Sequence, residues 1–170
     1  LARRVRSRGT VCWWHLEGRM PRKPRRTLAL EGFLPYRLVS LSQRISQALS
    51  SIYREEFGVS VAEWRILANL AEKGELSPSE IALQTSMDRA RVTRGIKDLR
   101  AKKCLLKRPD SSDQRGYRLR LSPAGESLYR KIVPLALAWE DGLLAEFDDA
   151  EFRDLMRLLD KLSGRLDSND

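Results

Sequence analysis

"SMDRARVTRGIKDLRAKK", residues 86–103, carries four arginines and three lysines in eighteen positions, yet Val92, Ile96 and Leu99 keep helical spacing. At 100° per residue those three side chains fall within about 60° of one another, a single apolar stripe wide enough to dock the helix. Met87, Ala90, Arg94 and Lys97 project from the other side, flanked by Arg91 and Thr93. A merely solvated face has no need of small residues among long cations. A face that enters a groove does, because its backbone must come close to the partner. Arginine's planar fork suits bidentate contact with guanine or phosphate, and a threonine methyl can meet a thymine methyl. Gly95 costs roughly 1 kcal/mol against alanine inside a helix. It implies a close approach, either to DNA or to a neighbouring helix.

Upstream, "SPSEIALQ" (77–84) has strong start signals: Ser77 caps, Pro78 takes the first helical position and Glu80 completes a capping box. The break at Thr85 and Ser86 is short, as in a helix-turn-helix whose second helix reads the major groove. "SVAEWRILANLAEKG" (60–74) opens with the same box, Ser60 and Glu63, and closes at Gly74. Its inner face is read as Trp64, Leu67, Ala68 and Ala71. Before it, Leu34, Leu38, Leu41, Ile45, Leu49 and Ile52 recur every three or four residues, which predicts a long helix from Leu34 to Phe57 ending near Gly58.

Downstream, "CLLKR" (104–108) and "YRLRLS" (117–122) read as strands around the turn-rich "PDSSDQRG". Arg115 stands at the tip beside Gly116, and Arg118 and Arg120 share one strand face. A lone arginine on a narrow tip suits the negative potential of a minor groove, with Asp113 shaping the turn. A helix-turn-helix followed by a basic hairpin is a winged helix. Ser122-Pro123 then starts a helix running to about Phe147, bent at Pro134. A last helix from Asp148 or Asp149 displays Phe152, Leu155, Leu159, Leu162 and Leu166.

The fold class is therefore mainly α with a small β-hairpin: a winged helix-turn-helix (59–122) flanked by long dimerisation helices (28–58 and 123–170). Those terminal helices carry more leucine than one small domain can cover, and a lone chain would expose a large apolar patch.

Charge supports a polyanionic partner. The net +9 is uneven: +8 over 1–27, −2 over 28–84, +8 over 85–122 and −5 over 123–170. Within 28–170 the positive charge thus sits in one stretch, an electrostatic footprint. Residues 1–27 read as a basic disordered tail. Met20 is the first methionine, so whether residues 1–19 are native stays open. Two cysteines, Cys12 and Cys104, make no disulfide framework. The longest apolar run, "IVPLALAW" (132–139), is too short to span a bilayer, and a cytoplasmic protein is expected. An enzyme is not expected: the single histidine, His15, lies in the tail, and there is no glycine-rich phosphate loop or metal-ligand spacing. No cofactor is called for.

Over about residues 33–166 the chain resembles the MarR family of bacterial transcription regulators. The likeness rests on "LPYRLVSLSQRIS", "FGVSVAEWRILANLAEKGELSPSEIA", "DRARVTRGIKDL" and "RPDSSDQRGYRLRLSPAGESLY". Asp113-x-Arg115 in the wing, followed by the Ser122-x-x-Gly125 helix start, is its most specific piece. The resemblance implies a homodimer on double-stranded DNA at a pseudo-palindromic operator, usually a repressor released by a small aromatic or phenolic effector. By position, Arg91, Thr93 and Arg94 would lie in the major groove with Ala90 and Lys97 beside them. Arg115 would lie in the minor groove near Asp113 and Arg118, and Ser77 and Ser79 near phosphates. Tyr36, Arg37, Tyr53 and Trp64 either line an effector cleft or are ordinary core and surface residues. Lys103 stands where the family commonly has glycine, and a left-handed backbone there would cost roughly 1 kcal/mol. Cys104 reads as a small buried hydrophobe. The alternative function is a winged-helix module, for DNA or protein contact, without an effector.

Overall fold

The structure, a computed structural model, describes residues 28–110 and 116–168. The expectations for the tail, and those for Asp113 and Arg115, lie outside the described residues. By packing the chain divides between Arg37 and Leu38. The described part of the first unit holds a single 3-10 turn, Leu30–Gly32, closed by the Phe33 N–H donating to the Leu30 carbonyl at 3.1 Å. It also holds the first residues of helix α1 (Leu34–Phe57).

The second unit, Leu38–Asp170, contains the rest of α1, then α2 (Val61–Lys73), α3 (Pro78–Thr85), α4 (Arg89–Ala101), strands β1 (Leu105–Pro109) and β2 (Tyr117–Leu121), and helices α5 (Pro123–Leu143) and α6 (Asp149–Asp167). Local chemistry sets most of these boundaries. In α2 the Ser60 hydroxyl accepts from Glu63 N–H at 3.3 Å, while the Glu63 carboxylate accepts from Ser60 N–H at 2.8 Å. Ser77 and Glu80 repeat the exchange at α3, with Pro78 in the first turn. Each box satisfies two otherwise unpaired donors.

The strands pair antiparallel with Leu105 opposite Leu121 and Pro109 opposite Tyr117. The hairpin is tied to the helices by a contact that no periodicity announces. Leu76 bridges Leu119, its N–H donating to the Leu119 carbonyl at 3.0 Å and its carbonyl accepting from Leu119 N–H at 2.8 Å. Leu119 is fully buried.

The core gathers Ile66, Leu67 and Leu70 of α2, Ile81 of α3, Val92, Ile96 and Leu99 of α4, Leu119 and Leu121 of β2 and Ile132 of α5. The inner face of α2 is therefore centred on Ile66, Leu67 and Leu70. Trp64, Ala68 and Ala71, expected there, are only half-buried at its margin. Tyr53 of α1 and Ile132 of α5 are buried in this same core.

Two glycines are fixed by close approach. A Cβ at Gly95 would meet Ile66 Cδ1 at 2.7 Å and Ala62 Cβ at 3.6 Å, so the small residue seats α4 against α2, not against DNA. A Cβ at Gly125 would collide with the Cys104 backbone carbonyl. The Ser122 hydroxyl accepts from Gly125 N–H at 3.1 Å and donates to the Lys103 carbonyl at 2.7 Å. The Ser-x-x-Gly start thus joins α5 to the end of the reading helix. Between them Lys103 has φ +59°, a left-handed backbone.

Helix α5 runs through Pro134 but stops at Leu143, short of Phe147. The chain then turns, with Phe147 N–H donating to the Leu144 carbonyl at 2.9 Å. Asp148 caps α6 in a third capping box. No residue from Asp149 to Leu166 is buried.

Candidate nucleic-acid interface

Helix α4 has two sides of opposite character. Val92, Gly95, Ile96 and Leu99 are buried, whereas Arg89, Ala90, Arg91, Thr93, Arg94 and Lys97 are exposed. Met87 does not join the exposed side as the helical projection placed it. The helix begins two residues later, so Met87 precedes the cap and turns into the core with 6% exposure. It occupies the position that pairs with Val92 in a hydrophobic staple, and both belong to the same buried cluster.

Asp88 caps α4, its carboxylate accepting from Arg91 N–H at 2.8 Å. That hydrogen bond, with the nearby Arg91 and Arg94 charges, holds its carboxyl below the usual range. The Thr93 hydroxyl donates to the Arg89 carbonyl at 2.8 Å. Among the described residues, none of Arg91, Arg94 and Lys97 forms an ion pair.

The reading helix is pinned at its far end by a residue the sequence reading overlooked. Lys102 Nζ donates to Glu63 Oε1 and to the Gly58 carbonyl, both at 2.6 Å. Glu63, nearly fully buried, therefore serves two structures at once: one oxygen closes the α2 cap and the other holds Lys102. The local motif accounted for the first role and concealed the second.

Arg118 is engaged by the protein itself. Its guanidinium donates to the Glu75 carbonyl at 2.8 Å and pairs with Glu80 at 3.1 Å and Asp110 at 3.6 Å. It braces the wing against α3. Arg120 remains exposed on the same strand. At the N-terminus of α3, Ser79 is exposed and Ser77 is occupied as the cap. The Glu80 carboxylate already neutralises that helix end. Its pKa is lowered chiefly by the Ser77 backbone N–H, with Arg118 contributing.

The four residues read as effector contacts fall two in each unit. Tyr53 is 1% exposed and stacks on Trp64 with centroids 5.6 Å apart. Trp64 in turn stacks on Tyr129 of α5 at 5.8 Å, a third ring that the sequence reading missed. Burial pushes the Tyr53 hydroxyl pKa up, against the pull of Arg65 and Arg54. Tyr36 and Arg37 are exposed residues of the first unit. A polar cavity of about 350 Å³ opens instead among Ser46, Gln47 and Arg54 of α1, Arg65 of α2 and Arg91 of the reading helix. Cys104 is buried and its thiol pKa raised by desolvation, as a small core residue should be.

A two-sided second helix, a short first helix and a hairpin tied to it define a winged helix-turn-helix protein. The MarR family profile matches residues 57–116, which takes in α2, α3, α4 and β1 but ends before β2. A MarR/EmrR family transcriptional regulator from Acinetobacter sp. ADP1 is 30% identical, with a TM-score of 0.75. The match covers 83% of this chain and 99% of that one. BpsR of Bordetella bronchiseptica, described with a mechanism for regulation of its DNA binding by 6-hydroxynicotinic acid, is 26% identical with a TM-score of 0.63. That match covers 75% of this chain and 98% of that one. The HTH-type transcriptional regulator BilQ of Clostridioides difficile (strain CD3) is 26% identical over 83 residues, 49% of this chain and 56% of BilQ. The chain therefore spans little more than half the length of that curated relative. Identity of 30% across nearly the whole Acinetobacter protein settles the family: this chain belongs to the MarR family. Among the described residues no helix is long and apolar enough to cross a membrane.

Proposed function

We propose that the protein is a sequence-specific DNA-binding transcriptional regulator, acting as a homodimer on an inverted-repeat operator. The observation that carries this reading is the reading helix: its apolar side is wholly seated, while Arg91, Arg94 and Lys97 stand out beside Ala90 and Thr93. Exposed cations that form no ion pair among the described residues, on a helix held by its buried side, suit a polyanion partner. Arg94 and Arg91 read base edges or phosphates, Ala90 lets the backbone approach, and Arg115 with Asp113 serves the minor groove. Ser77, Ser79 and Lys97 lie toward the backbone. Arg118 contributes by bracing the wing.

Dimerisation is supported by α6, which exposes Phe152, Leu155, Leu159 and Leu162 in a single chain. A second copy covering that stripe would set two reading helices about one DNA turn apart. Regulation by a small aromatic acid is the family-level expectation, consistent with the regulation of BpsR by 6-hydroxynicotinic acid. Such a ligand shifts DNA affinity only by its difference in affinity between two spacings of the reading heads. Repression is the mode this implies, and a DNA-binding regulator acts in the cytoplasm with no enzymatic step.

Selection from a random DNA library by the whole chain, at a salt concentration high enough to suppress binding through the basic tail, tests the reading. Enrichment of an inverted repeat with half-sites about 10 base pairs apart is the expected result. Retention without enrichment, fading as salt rises, would mean backbone binding alone. No retention at all would sink the regulator in favour of a protein-contact module.

A further inference from the structure

On the wing side of the molecule, α2, both strands and α5 line an open pocket of about 570 Å³, a size usual for small-molecule sites. Arg108 of β1, Arg120 of β2 and Arg130 of α5 line it, with Leu70 and the Tyr129 ring as apolar wall. Glu75 lines it as well, and its Oε1 is buried with no hydrogen-bond partner. Among the described residues, none of Arg108, Arg120, Arg130 and Glu75 forms an ion pair. The pocket therefore holds three exposed cationic groups, the exposed Glu126 carboxylate and one orphaned acceptor on Glu75, and among the described residues neither carboxylate is ion-paired with an arginine.

That combination selects the chemistry of an occupant. A simple anion would suit the guanidiniums but leave the Glu75 oxygen desolvated and add a like charge beside it. A simple cation would suit Glu75 and meet three arginines. A molecule bearing both groups resolves both conflicts, and a flat apolar body between them packs on Leu70 and Tyr129. We infer that this cavity binds a small zwitterion, its carboxylate held by Arg108, Arg120 and Arg130 and its ammonium by Glu75.

The site adjoins the wing's anchorage. The Glu75 carbonyl receives Arg118, and the next residue, Leu76, forms the bridge to Leu119. An occupant drawing the Glu75 side chain inward would act on the segment that fixes the wing. That consequence for DNA rests on the function proposed above, but the binding does not.

The test is calorimetry on the full chain without DNA, using 4-(aminomethyl)benzoate against benzoate, which lacks the ammonium. Saturable 1:1 binding of the zwitterion, at least ten-fold tighter than benzoate, is expected. Glu75→Gln should reduce the zwitterion to the benzoate level, and Arg120→Gln should weaken both acids at least ten-fold. Neither side chain forms an ion pair among the described residues, so both variants should melt with the parent, which separates lost binding from lost structure. Equal affinity for the two acids, no saturable binding of the zwitterion, or indifference to both substitutions would overturn the inference. A chain that binds the zwitterion but selects no DNA would leave the site standing and refute the regulator.

Discussion

Helices α2 and α6 open with the same device, a capping box, and each displays an apolar stripe at helical spacing. Helix α2 buries Ile66, Leu67 and Leu70 completely, while α6 buries nothing between Asp149 and Leu166. Equivalent local signals have met different tertiary fates. Around α2 the chain supplies its own cover from α3, α4, β2 and α5. Around α6 the described residues do not, and a stripe of leucine in water is a standing free-energy cost that a second copy would remove. The difference teaches that an amphipathic pattern specifies burial without saying whose atoms provide it.

Truncating a covered residue and altering an uncovered one should therefore have unlike consequences. Leu67→Ala removes a fully buried side chain and is expected to cost about 2–5 kcal/mol, read from denaturant unfolding. A loss below 1 kcal/mol would mean that the α2 core is loosely packed. Leu155→Glu with Leu159→Glu in α6 should halve the mass seen by sedimentation and leave the winged-helix core folded by circular dichroism. Unchanged mass would break the comparison by showing that the stripe serves something other than self-association.

Within the covered region the same logic applies to what still faces outward. Arg94→Ala is expected to leave stability within about 0.5 kcal/mol, as an exposed substitution should. It should also weaken operator binding by about 1–3 kcal/mol if Arg94 reads a base. Equal weakening on all sequences would make Arg94 a phosphate contact. The smallest effect is expected at Lys103, whose φ of +59° glycine adopts without strain. Lys103→Gly should raise stability by up to about 1 kcal/mol with no change in DNA specificity. Destabilisation would show that the lysine side chain makes up for its backbone.

Helix starts were legible because they are local chemistry. Ser60 with Glu63, Ser77 with Glu80 and Ser122 with Gly125 are pairs three residues apart whose hydrogen bonds need no distant partner. The two faces of α4 were legible because an α-helix converts spacing into direction at a constant angle. Met87 was misplaced because that conversion holds only inside the helix, and its first residue is Arg89. The margin of α2 was misread for a related reason: Trp64, Ala68 and Ala71 fit the period, but Ile66 and Leu70 are the residues that α4 and β2 cover.

By itself the sequence determined the order of elements, the hairpin, the exposed basic face of α4 and the need of the terminal helices for cover. Each follows from propensity, capping or period acting over fewer than about ten residues. Only the tertiary structure decided that Lys102 holds Glu63, that Arg118 braces the wing and does not project from it, that Gly95 serves α2, and that Glu75 is stranded among arginines across a cavity. Those partners lie tens of residues apart in the chain. Charge and hydrogen-bonding capacity are visible in a sequence, but the direction in which a long side chain satisfies them is set by which distant backbone the fold brings within about 3 Å.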